Sequence, residues 1–203
     1  MAYVKRIVSV VICSCLFLFP RVSSADQNTR VHAFTDRSQP VRFDNLTFST
    51  GYVWGDLKDN DDLEIIPFSV RFGFDINEFI GLRGPSTLQL GVEPFLNTII
   101  TPEEGVEVGF NVGFRYIAPV TDGVSIFGEI SSGPAYFSID TVEQGDEGFN
   151  FISQFGAGLE FEITNKVAFT AGYRYRHLSN AGLDDPNSGI NTNALITGVS
   201  FSY

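Results

Sequence analysis

The sequence is short of cysteine, of basic residues and of long apolar runs. Its two cysteines, Cys13 and Cys15, both lie in the first 25 residues. An exported chain without further cysteines has no disulfide bonds to stabilise it. There are 24 acidic residues against 13 basic ones, and three of the basic ones precede residue 26, so residues 26–203 carry a formal charge of −14. The sequence has no basic stripe, which excludes a nucleic-acid partner.

The N-terminus has the three parts of a secretory signal peptide. Lys5 and Arg6 precede the apolar run 7–20, and the small residues 23–25 follow it. The apolar run is too short to cross a bilayer as a helix, which takes about 20 residues, and no later run is long enough either. We therefore expect a signal peptide over residues 1–25, a periplasmic lead-in over 26–44 and one folded domain over 45–203.

Alternation of apolar and polar residues is abundant in the rest of the chain. In the segment 106–116 the even positions are Val, Phe or Tyr, and the odd positions are Glu, Gly, Asn or Arg. A period of two is typical of a β-strand with one apolar face. The pattern predicts strands at 45–55, 63–75, 86–99, 105–117, 124–139, 148–163, 167–180 and 192–203.

An even number of strands, each long enough to cross a bilayer at a tilt, predicts an all-β fold. We expect an eight-stranded antiparallel transmembrane β-barrel of the bacterial outer membrane. A soluble barrel or sandwich is the alternative, but it would place the large apolar residues inside. Here Gly, Ser, Asn and Glu dominate one face, which predicts a narrow polar lumen and an aromatic surface toward lipid. The charged residues of the inner face, expected to pair with one another or with water, are Arg71, Glu93, Glu107, Arg115, Glu129, Glu160, Glu162, Arg174 and Arg176.

The connections predict an orientation in the membrane. Those after strands one, three, five and seven are acidic and are expected outside the cell, whereas the others include the short turns 118–123 and 164–166. Both termini then lie in the periplasm. The last strand ends on the aromatic Tyr203 and resembles the signal that the barrel assembly machinery recognises, so this machinery is a predicted partner. The acidic loop 56–62 lacks the ligand spacing of an EF-hand, and no metal site is predicted there.

One polar pair stands out on the predicted lipid face. His177 and Ser179 are two residues apart on a strand and therefore share a face. An imidazole within reach of a serine hydroxyl can remove its proton and make it a nucleophile. The alternative interpretation is an interfacial belt, in which Tyr, His and Ser meet lipid headgroups.

The wider segment resembles a known enzyme family. The run His177-Leu178-Ser179-Asn180-Ala181-Gly182-Leu183, followed by Pro186-Asn187-Ser188-Gly189-Ile190, is similar to the outer-membrane lipid A 3-O-deacylases of the PagL type. Phe151 and the run 155–159 resemble the preceding strand of that family. The resemblance is close over 149–203 and only architectural over 45–148. It implies an eight-stranded barrel that hydrolyses an ester-linked acyl chain of lipid A, at the 3-position in this family.

The resemblance also implies roles for individual residues. Ser179 would be the nucleophile and His177 the general base, while Asn180 and the amide of Gly182 would stabilise the oxyanion. Phe151 would line the site, and Asn191 stands where the family has an acid. Asn191 can accept a hydrogen bond from the imidazole but supplies no negative charge; alternatively, Asp184 or Asp185 serves as the acid.

The remaining expectations concern partners and the competing function. The resemblance implies lipopolysaccharide and the membrane as partners, with no cofactor and no metal. Monomer and homodimer both stay open. The competing hypothesis is a non-catalytic structural or adhesion-type barrel of the outer membrane.

Overall fold

The computed structural model describes residues 40–58 and 61–203. The signal peptide expected over 1–25 and the lead-in up to residue 39 lie outside the described residues. In the described part of the chain, no helix is long and apolar enough to cross a membrane.

The described residues fold almost entirely into β-strands. The strands are β1 Arg42–Asp56, β2 Asp62–Ile66, β3 Phe68–Asp75, β4 Thr87–Thr101, β5 Gly105–Thr121, β6 Val124–Phe137, β7 Gly148–Thr164, β8 Val167–Ser179 and β9 Ile190–Ser202. One helical turn, α1 Asn77–Ile80, lies between β3 and β4. The first strand begins three residues earlier than predicted and the last one two residues earlier, so that Asn191 is a strand residue.

The strands form a closed antiparallel ring. From β3 to β9 each strand pairs with the next one, and β1 closes the ring by pairing with β9. β2 and β3 lie end to end in a single place of the ring, because both pair with β1 on one side and with β4 on the other. Pro67 separates them, since a proline has no N–H to donate to the ladder. The ring therefore has eight strand positions, and the predicted eight-stranded barrel is confirmed.

Side chains alternate between the lumen and the outer surface. In β5, Glu107, Asn111 and Arg115 are buried, whereas Val108 and Phe114 are exposed. Isoleucine and tyrosine are exposed on the outer faces of the neighbouring strands β4 and β6. The period of two read from the sequence thus assigned the two faces of this strand correctly.

The two ends of the barrel are connected differently. We call the end where β1 begins and β9 ends the terminal end, and the opposite end, with the connections 138–147 and 180–189, the loop end. At the terminal end β5 continues to Thr121, so the predicted turn 118–123 shrinks to Asp122 and Gly123. Gly123 has a φ of +79°, which glycine adopts without steric cost. The connection 76–86 at the same end is longer and contains α1.

An ion-pair network crosses the middle of the lumen. Arg174 of β8 donates to Glu93 and to Glu129, each at 2.6 Å. Arg115 of β5 donates to the second carboxylate oxygen of Glu129, also at 2.6 Å. A separate pair joins Arg176 to Glu107 at 2.5 Å. A buried charge is tolerated only when it is paired and hydrogen-bonded, and the pairing predicted for the inner face is confirmed for these residues. Of the predicted inner-face charges, Glu162 alone is exposed, near the end of β7.

Apolar side chains fill the lumen at the loop end. They form one cluster: Val53, Leu57, Leu63, Ile65, Phe95, Ile99, Ala135, Phe137, Ile139, Ile152, Leu178, Ile190 and Ala194. The prediction of a polar lumen is therefore wrong for this end. The polar inward positions belong mainly to the strand centres, whereas many inward positions near the loop end are apolar. The packing of these apolar side chains excludes water and supports the loops at this end of the barrel.

Candidate active site

The outer face of β8 ends in the polar pair predicted from the sequence. Along this strand Arg174, Arg176 and Leu178 are buried in the lumen, whereas His177 and Ser179 lie on the outer face and are half-buried. Ser179 is the last residue of the strand, at the loop end. The alternation of the strand therefore puts both side chains on the apolar outer surface of the barrel, one step apart.

His177 is held by the neighbouring strand. Asn191 lies directly across from it in the register between β8 and β9. The Oδ1 atom of Asn191 is 2.8 Å from Nδ1 of His177. Since an amide oxygen can only accept, the contact places a proton on Nδ1, and in the neutral ring Nε2 then keeps its lone pair free. This is the tautomer that a general base requires.

The residues next to Ser179 on one side belong to β7. Phe151 lies directly across from Ser179 in the register between β7 and β8. Its ring meets the ring of Phe149 edge to face, with 5.0 Å between the centroids. Among the described residues Ser179 Oγ forms no hydrogen bond, and the serine–histidine hydrogen bond considered from the sequence is not made in this structure. Such bonds are often long before substrate binds.

A row of polar side chains continues from His177 along the outer face, and sequence reasoning missed it. Ser153 of β7 lies across from His177, and Ser132 of β6 lies across from Ser153. The two hydroxyl oxygens are 2.9 Å apart. With Asn191 on the other side, the row crosses four adjacent strands at one level. Only the cross-strand register reveals it, because the members are far apart in the sequence.

Asn180, which follows the serine, is buried and organises the loop 180–189. Its Nδ2 donates to the backbone oxygens of Asp184 at 2.9 Å and of Pro186 at 3.3 Å. Its Oδ1 accepts the amide of Gly182 at 2.9 Å. Ala181 and Gly182 both have positive φ angles, +58° and +75°, and form the tight turn that this pattern closes. The two residues expected to stabilise an oxyanion are thus bonded to each other and to their own loop.

A second loop braces the first from outside. The backbone N–H of Asn180 donates to Oε1 of Gln144 at 2.9 Å and to Oδ1 of Asn187 at 3.1 Å. Ser188 N–H donates to the backbone oxygen of Glu143 at 3.0 Å. Oε1 of Glu143 accepts the amide of Lys58 at 2.5 Å. Loop 138–147 therefore links the loop after the serine to the connection between β1 and β2, a contact for which the sequence carries no signal.

Gly189 lies against the imidazole. Its φ is +72°, and a Cβ built on it would be 2.4 Å from Cε1 of His177. The glycine belongs to the segment that carries the family resemblance, but nothing in the residue pattern indicates this contact. Among the described residues, no group of three or more His, Cys, Asp or Glu side chains lies close enough to hold a metal ion.

The geometry can be compared with known proteins. The family profile described as lipid A 3-O-deacylase (PagL) matches residues 67–200. The crystal structure of the outer membrane enzyme PagL is 20% identical, with a TM-score of 0.54, over 76% of this chain and 97% of that one. The crystal structure of Neisserial surface protein A (NspA) is 14% identical, with a TM-score of 0.56, over 80% and 99%. None of the curated proteins compared with the chain matches it significantly.

Proposed function

Since the chain belongs to the lipid A 3-O-deacylase (PagL) family, it is an outer-membrane esterase that removes an ester-linked acyl chain from lipid A, and we propose that Ser179 and His177 perform the reaction. The observation that carries this proposal is the His177–Asn191 contact of 2.8 Å beside Ser179, on the face of the barrel that meets lipid. The likeness to NspA concerns the fold alone. The family match favours hydrolysis over the structural or adhesion-type barrel considered from the sequence.

The proposed mechanism has two halves. In the first, Nε2 of His177 takes the proton of Ser179 while Oγ attacks the ester carbonyl carbon. The tetrahedral intermediate then collapses, and the imidazolium returns the proton to the departing sugar oxygen, which leaves as an alcohol. In the second half, His177 takes a proton from water, and the resulting hydroxide attacks the acyl-serine. Collapse of this second intermediate releases the fatty acid, and Ser179 regains its proton.

Asn191 fits the role of a positioning residue in this mechanism. Its Oδ1 fixes the tautomer and the plane of the imidazole, as the family's acid would. It does not offset the positive charge that His177 acquires while it holds the proton. An asparagine can also present its NH₂ group, which would force the proton onto the wrong nitrogen, so the orientation with Oδ1 toward the ring matters.

The expected oxyanion donors must exchange their hydrogen-bond partners before they can bind the substrate oxygen. We propose that the amide of Gly182 exchanges Oδ1 of Asn180 for the substrate oxygen when the acyl group reaches Ser179. Asn180 contributes by holding the turn in which this amide is presented. A donor of this kind is worth about 3–4 kcal/mol in the transition state. Phe151 lies across from Ser179, which supports a role for its ring in lining the path of the acyl chain along the barrel wall.

The position of the site suits a substrate that arrives through the membrane. His177 and Ser179 open onto the outer surface of the barrel, not into its lumen, which is packed with apolar residues at this end. A lipid lying beside the barrel can therefore present its ester without leaving the bilayer. We propose that the loop end faces outside the cell, where lipopolysaccharide forms the outer leaflet.

The decisive experiment measures lipid A itself. Cells expressing the intact protein should contain lipid A that lacks one ester-linked acyl chain, and cells expressing Ser179→Ala should contain the complete form, both determined by mass spectrometry. Thr197→Val is the matched control, because Thr197 is also an exposed hydroxyl on the outer face, nearer the terminal end. Identical acyl profiles for the intact protein and Ser179→Ala, at equal amounts of folded barrel, would overturn the proposal.

We also propose that the C-terminal strand is recognised by the barrel assembly machinery. Tyr203 is 68% exposed and continues the outward row of Val199 and Phe201. Deletion of Tyr203 should reduce the amount of barrel in the outer membrane without changing the activity of the folded fraction. The mass of the purified protein in detergent distinguishes a monomer from a homodimer.

A further inference from the structure

We propose that Gly189 is a positioning residue of the active site, because the side chain it lacks leaves the space in which the His177 imidazole lies. A Cβ at this position would be 2.4 Å from Cε1, 3.1 Å from Nε2 and 3.3 Å from Nδ1 of the ring. Real Cβ atoms essentially never approach another heavy atom closer than 3.0 Å. Any other L-residue at 189 therefore displaces either the imidazole or the backbone.

The backbone around Gly189 is fixed on both sides. The preceding residue, Ser188, donates its amide to the backbone oxygen of Glu143 at 3.0 Å. The following residue, Ile190, begins β9, pairs with Leu178 and is 2% exposed within the apolar cluster of the lumen. A shift of this backbone would break a hydrogen bond or open a cavity in the cluster. Among the described residues the imidazole is held by a single hydrogen bond, to Asn191, so it is the group that moves.

Movement of the imidazole would disturb both of its nitrogen atoms. The built Cβ lies at the Cε1 edge, between Nδ1 and Nε2. A ring that turns away from it loses the 2.8 Å contact of Nδ1 with Asn191. It also moves Nε2, the nitrogen atom that accepts the serine proton in the proposed mechanism. Gly189 and Asn191, on opposite sides of Ile190, thus define the ring position together: one by leaving room and the other by hydrogen bonding.

The inference rests on the proposed role of His177 and predicts a loss in kcat. Gly189→Ala should lower kcat about 100-fold, the size of effect expected from misplacing a catalytic group by about 1 Å, with little change in KM. Gly123→Ala is the matched control. Gly123 has a similar φ of +79°, lies in the turn at the terminal end, and its built Cβ comes no closer than 4.0 Å to any other residue. It should keep the wild-type kcat. Equal kcat values for Gly189→Ala and Gly123→Ala would overturn the inference.

A stability cycle tests the contact independently of activity. Urea unfolding of the reconstituted barrel can be followed by the fluorescence of Trp54, the single tryptophan of the chain. Gly189→Ala should lower the unfolding midpoint more than Gly123→Ala does. In a His177→Ala background, where the ring is absent, Gly189→Ala should lower it only as much as Gly123→Ala. The same decrease in both backgrounds would show that the ring and residue 189 are not coupled.

The outcomes separate this inference from the proposed function. If Ser179→Ala leaves lipid A unchanged while residues 177 and 189 are coupled in stability, the proposed chemistry fails and the contact stands. If Ser179→Ala abolishes deacylation but the two residues are not coupled and Gly189→Ala is fully active, the chemistry stands and the role of Gly189 fails.

Discussion

Strand β8 carries polar side chains on both of its faces, and the hydrogen-bonding environment differs between the two faces. On the inner face Arg174 is buried and bonded to two carboxylates at 2.6 Å. On the outer face His177 is half-buried and has one neutral partner, Asn191, at 2.8 Å. An arginine whose charge is matched by its neighbours and a histidine that is left available for proton transfer are thus three positions apart on one strand.

The difference shows which polar groups hold the barrel together and which ones do chemistry. Inward charges stabilise the fold only as a network, since each would be costly alone in the lumen. Outward polar groups on a lipid-facing surface add little to stability and are usually retained for function. Changes on the inner face should therefore affect stability, and changes on the outer face should affect activity. The following substitutions test this separation.

The largest effect is expected on the outer face. His177→Phe should lower the deacylation rate about 10³-fold, because proton transfer to and from Ser179 is lost. Its stability should stay the same or rise, because a polar ring on the lipid face is replaced by an apolar one. The rate is measured as fatty acid released from lipid A in vesicles, and stability by urea unfolding. A marked loss of stability would show that His177 also stabilises the fold, contrary to the proposed separation.

The next effect, on stability instead of activity, is expected on the inner face. Arg174→Met should lower the free energy of unfolding by about 3–5 kcal/mol, because Glu93 loses its arginine partner and Glu129 keeps only Arg115. The folded fraction should hydrolyse lipid A at nearly the normal rate. The control is Arg42→Met, which removes an ion pair with Asp75 in which Arg42 is 32% exposed, and it should cost less than about 1 kcal/mol. Equal unfolding midpoints for both variants would contradict a stabilising role for the network.

The smallest effects are expected at Asn191, the amide that stands where the family has an acid. Asn191→Leu removes the hydrogen bond to Nδ1 and should lower activity about tenfold. Asn191→Glu restores the negative charge and should raise activity near neutral pH or leave it unchanged. Initial rates of both variants on one lipid A preparation give the comparison. A drop for Asn191→Glu would indicate another role for Asn191, or that Asp184 or Asp185 acts as the acid.

Much of the fold could be predicted because a strand records its two faces in alternate residues. Glu107 and Arg115 point inward and Val108 and Phe114 outward, as the period of two requires. The break at Pro67 was not predicted, although the missing N–H of proline explains it. The apolar filling of the loop end was missed because inward positions there, such as Ile152 and Ile190, carry the same residue types as lipid-facing ones. Alternation alone cannot separate two apolar faces.

The part of the candidate site whose residues are close together in the sequence could be predicted. His177 and Ser179 share a face because they are two residues apart, and the register of the β8–β9 hairpin brings Asn191 across from His177. Gln144, Ser153 and Ser132 come from other strands and loops, and only the strand register and the loop contacts bring them to the site. The expected oxyanion donors, Asn180 and Gly182, are bonded to each other, which residue types alone could not show.

The sequence by itself determined the membrane barrel, the two faces of its strands and the chemical pair on the outer face. These properties depend on residue type and on a spacing of two, both of which a linear chain records. Only the tertiary structure decided how the lumen is filled, which carboxylates Arg174 meets, how loop 138–147 braces Asn180, and why position 189 has no side chain. Those depend on strand register and ring closure, which bring residues from distant parts of the chain to within a few ångströms of each other.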